Sequence, residues 1–304
     1  MPTDPHPDIL YRDFAIVQVR DAFPRAAPLL REVVNFATNA FVRCLSYGEG
    51  EENLHLAPFA LHRHILELTD SIEVLVNNGC PAACNANLRS SFEALLSLEY
   101  MTEPGADYRT RSLSWLAAYA RDHLRTYRAL LQSSSEGKDF LSAIQNDKTV
   151  REFPPFPQDK VADGIARMER LLAREQFRAI QEEFAKFKRE PRWYHLFGGP
   201  ANLHDLADHL RRPAQYDVLY RQWSLTTHGL DFFPFIAPAP PGQKAIRGLR
   251  DVASTNEVTT FAATFLIDGT RLLLDKFHPG EAWGNWYMRE VRQDYSATAR
   301  SIRR

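Results

Sequence analysis

The sequence predicts an all-α protein, a helical bundle with an elaborated and partly irregular middle, on three observations. Apolar residues recur at three- and four-residue spacings in several separate segments, the pattern of a helix with one buried stripe. No run of useful length alternates apolar and polar residues, so strand content should not exceed a small hairpin. Of the 304 residues, 44% are hydrophobic and 25% charged, an ordinary globular composition with enough chain to bury a core.

The first stripe runs from Pro24 to Leu45, where Leu29, Leu30, Val33, Val34, Ala37, Phe41 and Cys44 fall on one face. Phe59 to Val76 repeats the pattern through Leu61, Ile65, Leu66, Ile72 and Leu75, and Asn77-Asn78-Gly79 stops it. Pro81 opens a third helix that continues to Tyr100, with Leu88, Phe92, Leu95 and Leu96 inward. A fourth spans about Tyr108 to Leu131 and ends in Ser133-Ser134-Ser135-Glu136-Gly137. Phe153-Pro154-Pro155-Phe156-Pro157 reads as a turn. Beyond it, Lys160 to Glu190 carries a seam of Met168, Leu171, Leu172, Phe177, Ile180, Phe184 and Phe187 between exposed charges, closed by Gly198-Gly199-Pro200.

Short helices follow around Leu203 to Leu210 and Tyr216 to Thr227. Phe232 to Pro241 is apolar but interrupted by prolines, which exclude a helix or a central strand and leave an extended loop packed on the body. The last strong helix is Glu257 to Phe277. No repeat with a period of 20–50 residues occurs, which argues against a solenoid. The expectation is a single helical domain over residues 1–304, its core formed by 22–131 plus 201–278, with a charged helical insertion around 140–199.

Composition narrows the function classes. Lys and Arg total 37 against 38 Asp and Glu, a formal net charge of -1. A surface that attracts nucleic acid everywhere is excluded, and a local basic patch is not. The fourth helix offers such a patch: Arg121, Arg125 and Arg128 share a face at i, i+4 and i+7 and are candidates for contacting RNA phosphates. Three cysteines, Cys44, Cys80 and Cys84, do not make a disulfide scaffold and fit a reducing compartment. No stretch approaches the roughly 18 apolar residues of a membrane helix. Met1 to Pro7 has neither the basic nor the apolar part of a signal peptide, so a cytoplasmic location without a membrane partner is expected.

The familiar catalytic signatures are missing: no phosphate loop, no G-x-G-x-x-G, no G-x-S-x-G and no H-E-x-x-H. Cys80-Pro81-Ala82-Ala83-Cys84 has the wrong spacing for a redox pair or a zinc knuckle. His62-Arg63-His64 points its two imidazoles to different faces of a helix. His204 with Asp208 and Asp205 with His209 are i,i+4 pairs able to ligate, but such pairs are more often ion pairs on a solvated face. No metal and no cofactor are expected.

The sharpest pattern is Tyr216-Asp217-Val218-Leu219-Tyr220-Arg221-Gln222-Trp223-Ser224-Leu225-Thr226-Thr227-His228-Gly229. On a helix Arg221 and His228, seven positions apart, point within about 20° of one direction. Ser224 lies between them, and Tyr220, Ser224 and His228 form an i, i+4, i+8 row. Gly229 permits the helix to end, leaving His228 in its last turn, where the dipole favours the imidazolium. Two cationic groups, a hydroxyl and a group that exchanges protons near neutrality suit a phosphodiester. A semi-buried polar face serving only structure is the plainer alternative. A second helix carries Arg89, Glu93 and Ser97 as a polar row at the margin of its apolar stripe, placed to line a cleft with the Arg221–His228 face.

Together, Leu88-Arg89-Ser90 with Glu93-Ala94, and more than 100 residues later the Tyr216-to-Gly229 segment and a final apolar helix, resemble an uncharacterised bacterial family of HEPN-like all-helical proteins. The resemblance runs from about Leu61 to Phe277. HEPN proteins carry an R-x4-6-H motif, which Arg221, Gln222 and His228 match at the longest spacing, and many are metal-independent ribonucleases of toxin–antitoxin or phage-defence systems. The resemblance therefore implies an endoribonuclease with Arg221 and His228 catalytic, supported by Ser224, Tyr220, Arg89 and Glu93. It also implies RNA as substrate, an antitoxin or defence-system partner protein, and a homodimer paired through the Arg–His helix. The alternative is a non-catalytic helical module that binds a nucleotide, a small molecule or a protein partner.

Overall fold

Helix boundaries follow the punctuation of the sequence. The computed structural model describes residues 12–46, 54–150, 156–229 and 252–277, together with 236–237, 240–241, 245–246 and 249–250. In chain order the α-helices among them are α1 (Arg12–Ala22), α2 (Ala26–Leu45), α3 (Leu56–Asn77), α4 (Asn85–Thr102), α5 (Tyr108–Leu130), α6 (Ser135–Asn146), α7 (Gln158–Leu172), α8 (Arg178–Ala185), α9 (Leu203–His209), α10 (Arg221–Thr227) and α11 (Thr255–Phe277). The strands among the described residues are β1 (Ile236–Ala237) and β2 (Ala245–Ile246), an antiparallel pair with Ile236 opposite Ile246. The chain is all-α. The rest of the apolar 232–241 segment, apart from Ile236, Ala237, Pro240 and Pro241, lies outside the described residues.

The chain divides into two compact units, one formed by the described residues up to Ala106 and from Leu203 onward, the other by Asp107–Asn202. In the first unit α3 packs on α2 and α4, and α11 packs on all three; α10 rests on α4. The predicted stripes supply the core: Leu30, Ile65, Ile72, Phe92, Leu95, Leu96 and Phe265 are fully buried, and the Phe92 and Phe265 rings lie 5.6 Å apart. Burial of each such side chain contributes about 1.5–3 kcal/mol. Gly79 ends the α3 region at φ +71, where a Cβ would stand 2.9 Å from the Ala15 methyl, so the turn and α1 fit only without a side chain. Cys84 packs in the core, and burial pushes its thiol up to about 12, far from a reactive thiolate.

One histidine belongs to this core. His62 is fully buried, its ring stacked on Phe41 at 5.7 Å, its Nε2 3.0 Å from the Thr270 hydroxyl. That hydroxyl donates to the Leu266 carbonyl, so it accepts from the imidazole and the proton sits on Nε2, leaving Nδ1 buried and unpartnered. Burial lowers the pKa of this imidazole to about 4.

In the second unit α5 packs against α6, α7 and α8. Asp107 caps α5, accepting from the Thr110 amide at 3.0 Å and the Thr110 hydroxyl at 2.7 Å; these bonds hold its carboxyl below the usual range. The serine run after α5 does two jobs: it ends that helix, and Ser134 caps α6 through the Gly137 amide at 2.8 Å. No helix among the described residues is long and apolar enough to cross a membrane.

Candidate functional site

The predicted helix from Tyr216 to Thr227 is built in two parts. Gln215–Tyr220 is π-helical and only Arg221–Thr227 is α-helical. Each π turn holds one residue more than an α turn, which brings the Tyr216 and Tyr220 rings into a stack at 4.9 Å. Just ahead of it, Arg212 is pinned by three partners: Glu99 of α4 at 2.7 Å, Asp268 of α11 at 3.0 Å and Gln215 at 3.1 Å. The sequence pattern does not single out Arg212, because its two carboxylate acceptors, Glu99 and Asp268, come from distant segments. From the other side Trp223, only 3% exposed, fixes α10 on α11 between Phe261 at 5.6 Å and Phe265 at 6.1 Å. Trp223 is therefore a core residue.

These anchors present Tyr220 and His228 to α4. The Tyr220 hydroxyl donates to Glu93 Oε1 at 2.9 Å and accepts from Arg89 Nη2 at 3.1 Å. The Arg89 guanidinium also lies 5.1 Å from the Tyr220 ring centroid, and its Nη1 is 3.4 Å from His228 Nε2. Arg89 and Glu93 form the expected i,i+4 ion pair, 3.3 Å between Nε and Oε1. Burial works against the charge on Arg89, but the hydrogen bond to Tyr220 and the carboxylate of Glu93 outweigh it and raise its pKa. Burial and the bond to Glu93 also raise the Tyr220 pKa, so the phenol keeps its proton at neutral pH and serves as a donor.

His228 sits one residue past α10, at φ -90 and ψ 5, and Gly229 follows at φ +66, a conformation that lets the chain leave the helix at once. The imidazole is exposed. An arginine donates and never accepts, so a hydrogen bond across this contact uses the Nε2 lone pair. Arg89 thus places a second cation beside this ring, one that the sequence pattern does not reveal.

The structure brings together Arg89, Glu93, Tyr220 and His228. It does not bring Arg221 to His228: the Arg221 guanidinium leans back to Asp217 at 3.7 Å and is largely exposed. Side chains on a helix point toward its N-terminus, and the π turn supplies a carboxylate there. Ser224 stays in the row, its carbonyl accepting from the His228 amide at 3.1 Å, and its hydroxyl makes no hydrogen bond among the described residues. The remaining histidines disperse: His204 meets Asp205 at 3.4 Å, His209 meets Glu103 at 3.2 Å, and His64 is exposed beside buried His62. Among the described residues no three His, Cys, Asp or Glu side chains gather where they could hold a metal ion.

In the second unit each predicted phosphate-binding arginine has a carboxylate partner. Arg121 forks onto Glu190 at 2.6 and 2.8 Å, with Gln181 at 2.9 Å and the Phe184 ring 4.5 Å below it. Arg128 pairs with Glu169 at 2.9 Å, and Arg125 with Asp122.

The fold and site thus define an all-helical protein whose α4–α10 seam exposes a histidine backed by an arginine and a protonated tyrosine. The chain belongs to a family of unknown function, DUF5677, whose model matches residues 55–233, more than half of the chain and every residue of this cluster. No match to the chain is found among curated proteins or among solved structures.

Proposed function

We propose that this chain is a HEPN-like, metal-independent endoribonuclease acting in the bacterial cytoplasm, in a toxin or phage-defence setting. The observation that carries the reading is the Arg89 guanidinium, held by Tyr220 and Glu93 and aimed at the exposed His228 Nε2. A neutral imidazole whose Nε2 lone pair turns from Arg89 to the substrate is the state that accepts a proton from an RNA 2′-hydroxyl. The 2′-oxygen then bonds to phosphorus and the bond to the 5′-oxygen breaks. The leaving oxygen takes up a proton from water, and the imidazolium returns its proton to the hydroxide so formed. Arg89 is the cation closest to the imidazole and would neutralise charge building on the phosphoryl oxygens. Arg221 and Ser224 stand at the rim as positioning groups.

The family resemblance adds a homodimer with both His228 side chains near its two-fold axis, and a partner protein that restrains the activity. Single-stranded RNA incubated with the purified protein in a chelator should be cut to fragments ending in 2′,3′-cyclic phosphate, and His228→Ala should abolish this while remaining folded. Activity that chelator removes overturns the metal-independent reading. A folded protein with no cleavage favours the second reading, a non-catalytic binding module. The closed Glu93–Tyr220–Arg89 ring also bonds chiefly to itself, as a structural network does.

A further inference from the structure

The second unit contains a cleft of about 680 Å³, in the range of small-molecule sites, that cleavage chemistry at His228 does not use. One wall is the length of α5 from Trp115 to Arg128; the other is the 190–193 segment with Gln181 and Leu172. Three features define what it accepts. Trp115 and Tyr119 stack in parallel at 6.0 Å, and the edge of largely buried Trp193 also lines the cleft, so aromatic surface contributes to both walls. Tyr119 is 46% exposed even though its ring packs against Trp115 and, at 4.2 Å, the His123 imidazole, so part of its surface stays open to the cleft.

The second feature is cationic. Of the four arginines in the lining, Arg121 is committed to Glu190 and Phe184, and Arg128 to Glu169. Arg125 pairs with Asp122, both side chains well exposed, and also feels the Glu190 carboxylate; the pairing is weak enough for another anion to displace. Arg192 is exposed, and its guanidinium makes no hydrogen bond or ion pair among the described residues. The third feature is that Asp122 and Glu136 also line the cleft, acceptors for N–H groups. Mixed charge, rather than a purely basic wall, selects a ligand that is itself mixed.

We propose that this cleft binds a nucleotide, its base against Trp115 and Tyr119, its phosphate on Arg192 and Arg125, and its amino N–H groups toward Asp122 and Glu136. The same chemistry comes from two sources, a free nucleoside monophosphate or one residue of a single RNA strand. Binding here is independent of whether His228 cleaves.

Full-length protein carrying His228→Ala, which prevents cleavage, is titrated with AMP, CMP or UMP and with rA6, rC6 or rU6, following quenching of tryptophan fluorescence. Saturable quenching is expected, stronger for adenine and cytosine than for uracil, which lacks an exocyclic amino group. Arg192→Ala and Tyr119→Ala should each weaken binding about tenfold, as loss of one charged contact and one stacking face. Saturation by monophosphates identifies a free nucleotide as the ligand, and saturation by the hexamers alone identifies a strand. No binding of either probe at millimolar concentration overturns the proposal, as does binding that both variants leave unchanged; neither result touches the cleavage assay.

Discussion

Arg89 of α4 and Arg121 of α5 each lie over an aromatic ring, 5.1 Å from Tyr220 and 4.5 Å from Phe184, yet their other partners differ. Arg121 meets a carboxylate edge-on with two bonds, and its charge is spent on holding the wall of its own unit. That bond holds the Glu190 carboxyl below its ordinary range and raises the Arg121 pKa. Arg89 shares one carboxylate with Tyr220 and points Nη1 at an imidazole. Its Nε is also buried without a hydrogen bond. The comparison teaches that spacing locates arginines but pairing decides which of them is available to a ligand.

The largest expected effect breaks or confirms that distinction. If Arg89 is the arginine of the site, Arg89→Ala should reduce RNA cleavage about 10²–10³-fold, comparable to losing one preorganised donor in an active site. Arg221→Ala, exposed and paired with Asp217, should stay within about tenfold of the wild type. Rates measured on variants with unchanged circular dichroism decide this; a larger loss for Arg221→Ala would reverse the assignment.

A second contrast separates two histidines of one unit. The unfolded His62 imidazole takes a proton near 6.5, whereas the buried one resists until about 4. Between those values the unfolded chain binds more protons than the folded one, so stability falls as the pH is lowered through that window. The full loss, reached below the folded value, is about 3 kcal/mol, and above pH 6.5 the group contributes nothing to the slope. Denaturant unfolding at pH 7 and at pH 4.5 should therefore show a steeper decline in wild type than in His62→Met. Equal slopes would mean that the ring finds a proton acceptor inside the core. Thr270 keeps its bond to Leu266 in the variant, so no hydroxyl is orphaned.

How far the sequence was legible follows from the range of each interaction. The apolar stripes of α2, α3, α4 and α11 were readable because helix periodicity is local. So was the Arg89–Glu93 pair, four residues apart on one helix. The pattern also singled out His228 and its stop at Gly229. What it could not provide was the cation opposite the imidazole, since Arg89 is 139 residues away and reaches His228 only through the α4–α10 packing. The π turn was hidden for a similar reason, since Arg212 at its approach is fixed by Glu99 and Asp268. α1 escaped notice because its stripe is short, with Ala15 and Val19 its buried residues. The arginines of α5 were visible as a row, but their carboxylate partners Glu169 and Glu190 lie on other segments.

The smallest effect sharpens the comparison inside the second unit. Arg121→Ala removes a forked ion pair, a bond to Gln181 and a ring contact together, and should destabilise the unit by about 2 kcal/mol. Arg125→Ala removes only a pairing between two well-exposed side chains one turn apart, so its cost should stay within about 0.5 kcal/mol. Urea midpoints of the two variants, measured at low and at high salt, distinguish the cases. The Arg121 difference should persist in salt, because part of it is the buried face of the guanidinium on Phe184, which screening leaves intact. Any small Arg125 difference should vanish. If the two variants lose equal stability, the arginines of α5 are alike after all, and the contrast between wall and ligand contact fails within that helix.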